Sequence, residues 1–292
     1  MTKYILDLEL RSIERLNEGY VVLRLTDPQG ALPEMRPGQF VEVRVDGSPT
    51  TFLRRPISIN RVVRQTNELW LLVHAIGDGT RRLASLTPGA TVNVVLPLGN
   101  GFTLPEPVVA GTEPQSSLLV GGGVGTAPLL ALGEELVARG HKPAFVLGAR
   151  SAKDLMQLDL FRQFGPVHVT TEDGSAGERG FVTQHSVWSE LGTDNPQPHS
   201  QAGPSSDDSA LSHARPTVYT CGPKPMMMAV AQQCRELGLY CEASFENMMA
   251  CGLGACLCCV EATTEGNVCV CKDGPVFAMD GPLPRPICRN DE

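Results

Sequence analysis

Residues 117–140 read SLLVGGGVGTAPLLALGEELVARG, and the change of rhythm inside them decides the fold. An apolar strand runs into a glycine-rich turn, and the turn opens a helix at Thr126. The same alternation continues downstream. PAFVLGAR (143–150), PVHVTT (166–171), TVYTCG (217–222) and YCEASFE (240–246) read as strands; AKDLMQLDLFRQF (152–164) and KPMMMAVAQQCRELG (224–238) read as the helices between them. Strands alternating with helices of this length predict right-handed crossovers and a parallel sheet. Gly121, Gly122, Gly123 and Gly125 at such a turn let the backbone approach a dinucleotide, with the helix N-terminus supplying positive field. The spacing is not a strict G-x-G-x-x-G, and a glycine turn also has purely structural uses. A second strand-turn-helix, YTCGPKPMM (219–227), carries Cys221, Gly222 and Pro223. Ligands of open parallel sheets sit beyond the carboxyl ends of the strands, so both turns are expected to face one crevice. No histidine pairs with Cys221, which reads as a small side chain beside a nicotinamide rather than as a nucleophile.

Upstream of this point the rhythm is different. YVVLRLT, QFVEVRV, TFLRRPISI, ELWLLVHAI and TVNVVLPL are short alternating or apolar runs separated by Pro, Gly, Asp and Asn. Five or six strands at this spacing predict a small antiparallel barrel, interrupted by one short helix at TRRLASL. Within RRPISIN, Arg55 and Ser58 flank the stiffening Pro56 and Ile57, and an arginine with a nearby hydroxyl suits a pyrophosphate and the edge of a flavin ring. The alternative is a solvated strand edge. HAIGDGTRRL adds Gly77, Gly79 and Thr80 before a helix start, where bare amides attract phosphate or where Thr simply caps a turn.

The tail is chemically distinct. No cysteine precedes Cys221, and six of the ten fall in ACGLGACLCCVEATTEGNVCVC (250–271). Cys251, Cys256 and Cys259 follow C-x4-C-x2-C spacing, with Gly252 and Gly254 in the first interval and Cys271 beyond. That is the plant-type [2Fe-2S] pattern, in which glycines let amides turn toward sulfur. Four thiolates also satisfy tetrahedral zinc, although zinc ribbons usually pair two C-x2-C knuckles and one is present here. On spacing alone Cys258 and Cys269 are alternative ligands. His74, His141, His168, His185, His199 and His213 are scattered without ligand spacing.

Composition narrows the function classes. A net charge of -8 and a pI near 5.3 argue against a nucleic-acid binder. The start, MTKYILDLELRSIERL, lacks the apolar core of a signal peptide, and no run of eighteen apolar residues predicts a membrane span, so a cytoplasmic protein without membrane partners is expected. In that compartment a cysteine cluster is more often metal-binding or redox-active than a disulfide framework. The stretch 192–216 is rich in Pro, Ser, Gly and Asp and reads as a mobile surface insertion.

In the order RPIS, GGGVGTAPL, CGPKPMM and ACGLGACLCC…CKDGPVF, the chain resembles the electron-transfer subunits of NAD-dependent dihydroorotate dehydrogenases, within the ferredoxin-NADP reductase-like superfamily. The resemblance spans nearly the whole chain outside the insertion. It implies an FAD-binding β-barrel (1–103), an NAD-binding α/β domain (104–242) and a small [2Fe-2S] domain (243–292). It assigns Arg55 and Ser58, Leu72, Val73 and His74, and Gly79 with Thr80 to FAD. GGGVGT and Cys221, Gly222 and Pro223 would face NAD, and Cys251, Cys256, Cys259 and Cys271 would hold the cluster; Cys258 and Cys269 are extra to that pattern. An FMN-binding catalytic subunit would oxidise dihydroorotate in a heterotetramer of two of each chain, and this chain would carry the electrons to NAD+. Accordingly no catalytic base or orotate-binding set is expected here. Related flavin/iron-sulfur subunits of ferredoxin oxidoreductase, sulfide dehydrogenase or hydrogenase complexes use the same parts. Arg150 in GARSAKDL suits either a 2′-phosphate or a loop cap, which leaves NAD against NADP open. In another class, a zinc-stabilised interaction module would use the glycine turns structurally.

Overall fold

The structure, a computed structural model, describes residues 2–191 and 215–287. Of the expected insertion only Arg215 and Pro216 are among them; His199 and His213 lie outside the described residues.

The first six strands are β1 (Tyr4–Arg15), β2 (Tyr20–Thr26), β3 (Phe40–Val43), β4 (Arg55–Val63), β5 (Glu68–His74) and β6 (Thr91–Leu98), with helix α1 (Asp78–Ala84) between the last two. They close into an antiparallel barrel in the order β1-β2-β5-β4-β3-β6. Closure removes the edges that an open sheet would expose. Leu8, Leu10, Leu23, Leu25, Val41, Ile59, Leu71 and Val94 fill the interior, each at most 1% exposed, so side-chain packing stabilises the barrel.

The nucleotide half begins with β7 (Ser116–Gly122), α2 (Ala127–Ala138), β8 (Lys142–Ala149), the single helical turn α3 (Leu158–Phe161), β9 (Val167–Thr171) and β10 (Glu178–Arg179). It continues through α4 (Val187–Leu191), β11 (Thr217–Cys221), α5 (Lys224–Leu237) and β12 (Cys241–Ser244). β7 to β12 pair in parallel, as the alternation of strands and helices predicts. The tail adds a hairpin, β13 (Val260–Thr263) with β14 (Gly266–Cys269), then α6 (Val270–Asp273), β15 (Val276–Ala278) and β16 (Arg285–Pro286). β15 pairs antiparallel with β12, giving one eight-stranded sheet ordered β10-β9-β8-β7-β11-β12-β15-β16. β12 runs across residues 242 and 243, so the cysteine segment is grafted onto the nucleotide sheet.

One element departs from its expected form. Instead of a helix over 152–164, the chain makes a 3-10 turn at Ala152–Asp154 and the one-turn α3, with Gln157 between them in the left-handed region at φ 55°. The side-chain amide of Gln157 exchanges two hydrogen bonds with buried Asn60 of the barrel, at 3.0 and 3.1 Å, and Asn60 also donates to the Ala127 carbonyl at the start of α2. A contact between modules overrides the local helical preference. Arg61 reinforces it with a two-pronged ion pair to Glu134 of α2, at 2.8 and 2.7 Å. No helix among the described residues is long and apolar enough to cross a membrane.

Candidate functional site

Three groups of residues singled out in the sequence occupy three neighbouring places. The first is a cleft of about 370 Å³ on the barrel, lined by Thr50, Thr51, Arg55, Ile76, Gly77, Asp78, Gly79 and Thr80. It brings Arg55 of β4 to Gly79 and Thr80 of α1. Gly79 is small by necessity: a Cβ there would lie 2.8 Å from Arg55 Nε and 2.9 Å from Thr51 Cγ2. The Arg55 guanidinium makes one long bond, 3.5 Å to the Arg54 carbonyl, which leaves donors for an anion. Thr80 Oγ1 accepts the Gly77 N–H at 3.1 Å, so this hydroxyl is engaged in the turn. Ser58 lies farther along β4, opposite Phe40, with Pro56 and Ile57 between it and Arg55. Leu72, Val73 and His74 end β5; Leu72 and Val73 are buried, and only His74 reaches the surface of the group.

His74 carries a partner that sequence reading missed. Tyr20 of β2 stacks on it at 4.2 Å between ring centroids and 11° between planes. Burial, aided by the charge of Arg150, lowers the His74 pKa, so the ring is neutral in neutral solution. Burial, with Asp154 nearby, raises that of Tyr20. The Tyr20 hydroxyl would stand 3.8 Å from a Cβ on Gly123. The stack therefore lies where barrel and nucleotide sheet meet, and Arg150 at the end of β8 is close enough to bear on both rings. Only the cross-strand pairing of Tyr20 with His74 could have signalled it.

The second place is the crevice at the carboxyl ends of β7 and β11. These strands pair with Gly121 opposite Cys221, which sets the two glycine turns side by side. A Cβ on Gly125 would meet Gly222 N at 2.5 Å and the Cys221 carbonyl carbon at 2.6 Å; one on Gly122 would meet Met226 Sδ at 2.6 Å. Gly123, with φ 57°, supplies the left-handed residue of the turn, and Thr126 Oγ1 donates to its carbonyl at 3.0 Å. Pro223 precedes α5 as its N-cap residue. The two turns thus line one crevice, with backbone surfaces that a planar ring or a pyrophosphate can approach. Cys221 is fully buried, and burial pushes its thiol far above the ordinary range, so it has no thiolate for nucleophilic work.

The third place is the cysteine loop. Gly252 and Gly254 adopt φ of 67° and 81°, and Leu257 adopts 57°. This winding aims amides at sulfur: Leu253 N–H donates to Cys251 Sγ at 3.3 Å, Gly254 N–H to Cys271 Sγ at 3.1 Å, and Cys271 N–H to Cys259 Sγ at 3.4 Å. The amide of Leu253, joined by those of Cys256 and Ala255, holds the Cys251 thiol down at about 6. Burial, with the adjacent Cys259 thiol, pushes Cys271 up to about 12. Hydrogen bonding with the Cys256 side chain also helps to lower Cys251, and hydrogen bonding with the Cys259 side chain helps to raise Cys271. Cys251, Cys256, Cys259 and Cys271 all lie in this loop and the short helix that follows it. Amides directed at sulfur suit the thiolates of an iron-sulfur cluster. Cys256 and Cys258 are exposed, Cys259 and Cys271 buried. Cys269 lies beside the group, its thiol donating to the Gly254 carbonyl at 3.9 Å.

The loop is seated on the barrel. A Cβ on Gly252 would come within 2.8 Å of Glu42 Cγ and 3.0 Å of Leu98 Cδ1. Glu42 is fully buried with both carboxylate oxygens unbonded, and burial raises its pKa to about 7. Sequence reading passed over it as one polar position in a strand.

Comparisons with known proteins agree with this division. Residues 246–281 match the iron-sulfur cluster binding domain of dihydroorotate dehydrogenase B, and residues 119–232 an oxidoreductase NAD-binding domain. The chain is 39% identical over 267 residues to the "Dihydroorotate dehydrogenase B (NAD(+)), electron transfer subunit" of Lysinibacillus sphaericus, covering 88% of this chain and 90% of that one. It is 35% identical over 279 residues to the protein of the same name from Listeria monocytogenes, covering 94% and 98%. Among solved structures, the NADH-dependent reduced ferredoxin-NADP oxidoreductase superposes with a TM-score of 0.75 at 27% identity, over 94% of this chain and 88% of that one. Phthalate dioxygenase reductase shares the fold, with a TM-score of 0.56 at 23% identity, over 78% and 64%.

Proposed function

We propose that this chain, which belongs to the family of electron transfer subunits of NAD(+)-linked dihydroorotate dehydrogenase B, moves electrons from a dihydroorotate-oxidising subunit to NAD+ by way of a [2Fe-2S] cluster and FAD. It is an oxidoreductase component and needs its catalytic partner. FAD exchanges electrons singly or in pairs, which joins the one-electron chemistry of a cluster to the hydride chemistry of nicotinamide.

Each station has its residues. Arg55, with the backbone of Gly79 and Thr80, holds the FAD phosphates in the barrel cleft; Pro56, Ile57 and Ser58 extend along β4 toward the ring, and the end of β5 closes its other side, with the His74 side chain and the backbone of Leu72 and Val73. Tyr20, stacked on His74, covers the ring where the modules meet. Gly121, Gly122, Gly123, Gly125 and Thr126 receive the NAD pyrophosphate, and Cys221, Gly222 and Pro223 lie along the nicotinamide. A neutral, buried Cys221 fits that place because it packs against the ring without competing as a nucleophile. Cys251, Cys256, Cys259 and Cys271 ligate the cluster.

The observation that carries this reading is the seating of the cysteine loop on the barrel, Gly252 against Glu42 and Leu98. It brings the thiol group to the module that carries the flavin cleft. The exposed side of the loop supports a partner on its far side: Cys256 is exposed, and Met248, Leu253 and Leu257 stand 83%, 47% and 66% exposed around it. That partner is an FMN-binding catalytic subunit, assembled with this chain as two of each in the cytoplasm. Co-purification with mass spectrometry of the partner, together with a visible spectrum, tests the proposal. Flavin and iron-sulfur bands and a dihydroorotate-oxidising FMN protein are expected. A colourless zinc protein, or a hydrogenase or sulfide-metabolising partner, would overturn it.

A further inference from the structure

The fourth cysteine sits on a helix that cannot hold itself. α6 is a single turn, Val270–Asp273, and a lone turn in water is far below the length at which a helix is stable. Its final carbonyls have no intrahelical donors. They are met from the barrel by one residue, Asn100, two positions past the end of β6. The Asn100 side chain donates to the carbonyls of Lys272 and Asp273, at 3.3 Å each, and its backbone N–H donates to Gly274 O at 2.6 Å. Asn100 also forms an isolated bridge with Pro275. Three successive carbonyls after Cys271 are thus satisfied by a residue at least 172 positions away in sequence.

The surroundings make this joint stiff. A Cβ on Gly99 would lie 2.5 Å from Pro275 Cδ and 2.9 Å from both Gly274 O and Phe40 Cε1. Gln39 of the barrel donates to Gly99 O at 2.9 Å and fixes that segment from behind. At the helix's other end, Cys269 N–H donates to Asp273 Oδ2 at 3.0 Å, so the turn is closed on itself and capped from outside.

We propose that Asn100 is a positioning residue: a C-cap supplied by the flavin barrel that holds α6 in place, and with it Cys271 and the Gly254 amide that Cys271 Sγ accepts. It acts through Cys271 and touches no thiol itself. The proposal rests on the reading that these cysteines carry a [2Fe-2S] cluster, and that reading is checked first in the unaltered chain by its iron content and by the EPR signal of the reduced cluster. If these are missing, the reading fails; if they are present and the variants behave normally, only the role of Asn100 fails.

The test uses the full chain carrying FAD and cluster. Asn100→Ala removes both side-chain donors and keeps the backbone N–H. Two net hydrogen bonds correspond to about a thirtyfold change in the population of the frayed turn, so chelator-driven loss of the cluster should be up to about thirtyfold faster and the EPR signal altered, with FAD release unchanged. Asn100→Ser, which keeps a short donor, should fall between Ala and wild type and serves alone if Asn100→Ala does not fold. Unchanged cluster loss and an unchanged EPR signal overturn the proposal. So does loss of FAD in step with the cluster, or failure of both variants to fold, since Asn100 would then support the chain as a whole.

Discussion

Gly125→Ala is the most exacting test of the crevice, because one added carbon has nowhere to go. The new Cβ would lie 2.5 Å from Gly222 N and 2.6 Å from the Cys221 carbonyl carbon, about 1 Å inside ordinary contact. Neither neighbour is a flexible side-chain end. Both are backbone, and they are tied to β7 by the pairing of Cys221 with Gly121 in the middle of the sheet. Relief therefore requires the two turns to part, which places the strain at the upper end of the overpacking range, about 3 kcal/mol. For a chain of this size that lowers the melting temperature by roughly 5–10 °C. If the parted turns are the nicotinamide site, the KM for NADH should also rise about tenfold, with FAD content unchanged because the Arg55 cleft is on the barrel. Gly123→Ala is the comparison for the thermal melt alone: its φ of 57° imposes left-handed strain of about 1 kcal/mol, but the space is open, with Tyr20 Oη 3.8 Å away. Thermal melts and steady-state NADH oxidation with a dye acceptor decide. A Gly125→Ala protein that melts with wild type and keeps its KM for NADH refutes the geometry and the assignment together.

Three further outcomes are expected. Cys256→Ser should remove the iron-sulfur bands from the visible spectrum while Cys258→Ser keeps them, and the reverse would show the ligand register to be wrong. Arg55→Ala removes the charged donor of the barrel cleft and should weaken FAD binding at least about tenfold, as a charge-assisted hydrogen bond to phosphate implies; equal flavin retention after dilution would exclude Arg55 from the site. Glu42, raised by burial to about 7 from an ordinary 4.5, holds its proton more tightly folded than unfolded, so its contribution is intact below about 4.5 and is lost as pH rises through about 7. The loss is up to about 3 kcal/mol, and Glu42→Gln should reduce the drop in urea midpoint between pH 5 and pH 8; an identical drop in both proteins would show that Glu42 does not titrate there.

The parts of this protein that the sequence announces are those whose cause is local. Alternating apolar residues close the barrel, glycine at a strand-to-helix turn marks the crevice, and C-x4-C-x2-C spacing with Gly252 and Gly254 marks the thiol loop. The failures have a common physical origin in contacts between distant segments. Gln157 leaves the helical region to pair with Asn60, 97 positions away. Tyr20 reads as an ordinary strand residue until β5 brings His74 against it. Glu42 is one unremarked polar position in QFVEVRV, yet the tail returns to cover it, leaving a carboxylate at 0% exposure with no hydrogen-bond partner.

The glycines and asparagine of LGNGF (98–102) show why motif reading alone stops short of the joint. Gly99 and Gly101 look like residues of a tight turn leaving β6, and Asn100 like a turn former between them. In the fold each also makes a close approach to another segment. Gly99 lies under Pro275, Asn100 caps α6, and a Cβ on Gly101 would run into Pro37 O. A glycine required by an incoming chain and a glycine required by its own φ are the same letter, and only the partner distinguishes them. For Gly99 and Asn100 that partner is the loop bearing Cys271, so the turn that ends the barrel is also the floor under the cysteine proposed as the fourth ligand. A change there should affect the cluster before it affects the barrel, because the barrel's strands are closed by their own ladder while α6 has one turn and a borrowed cap.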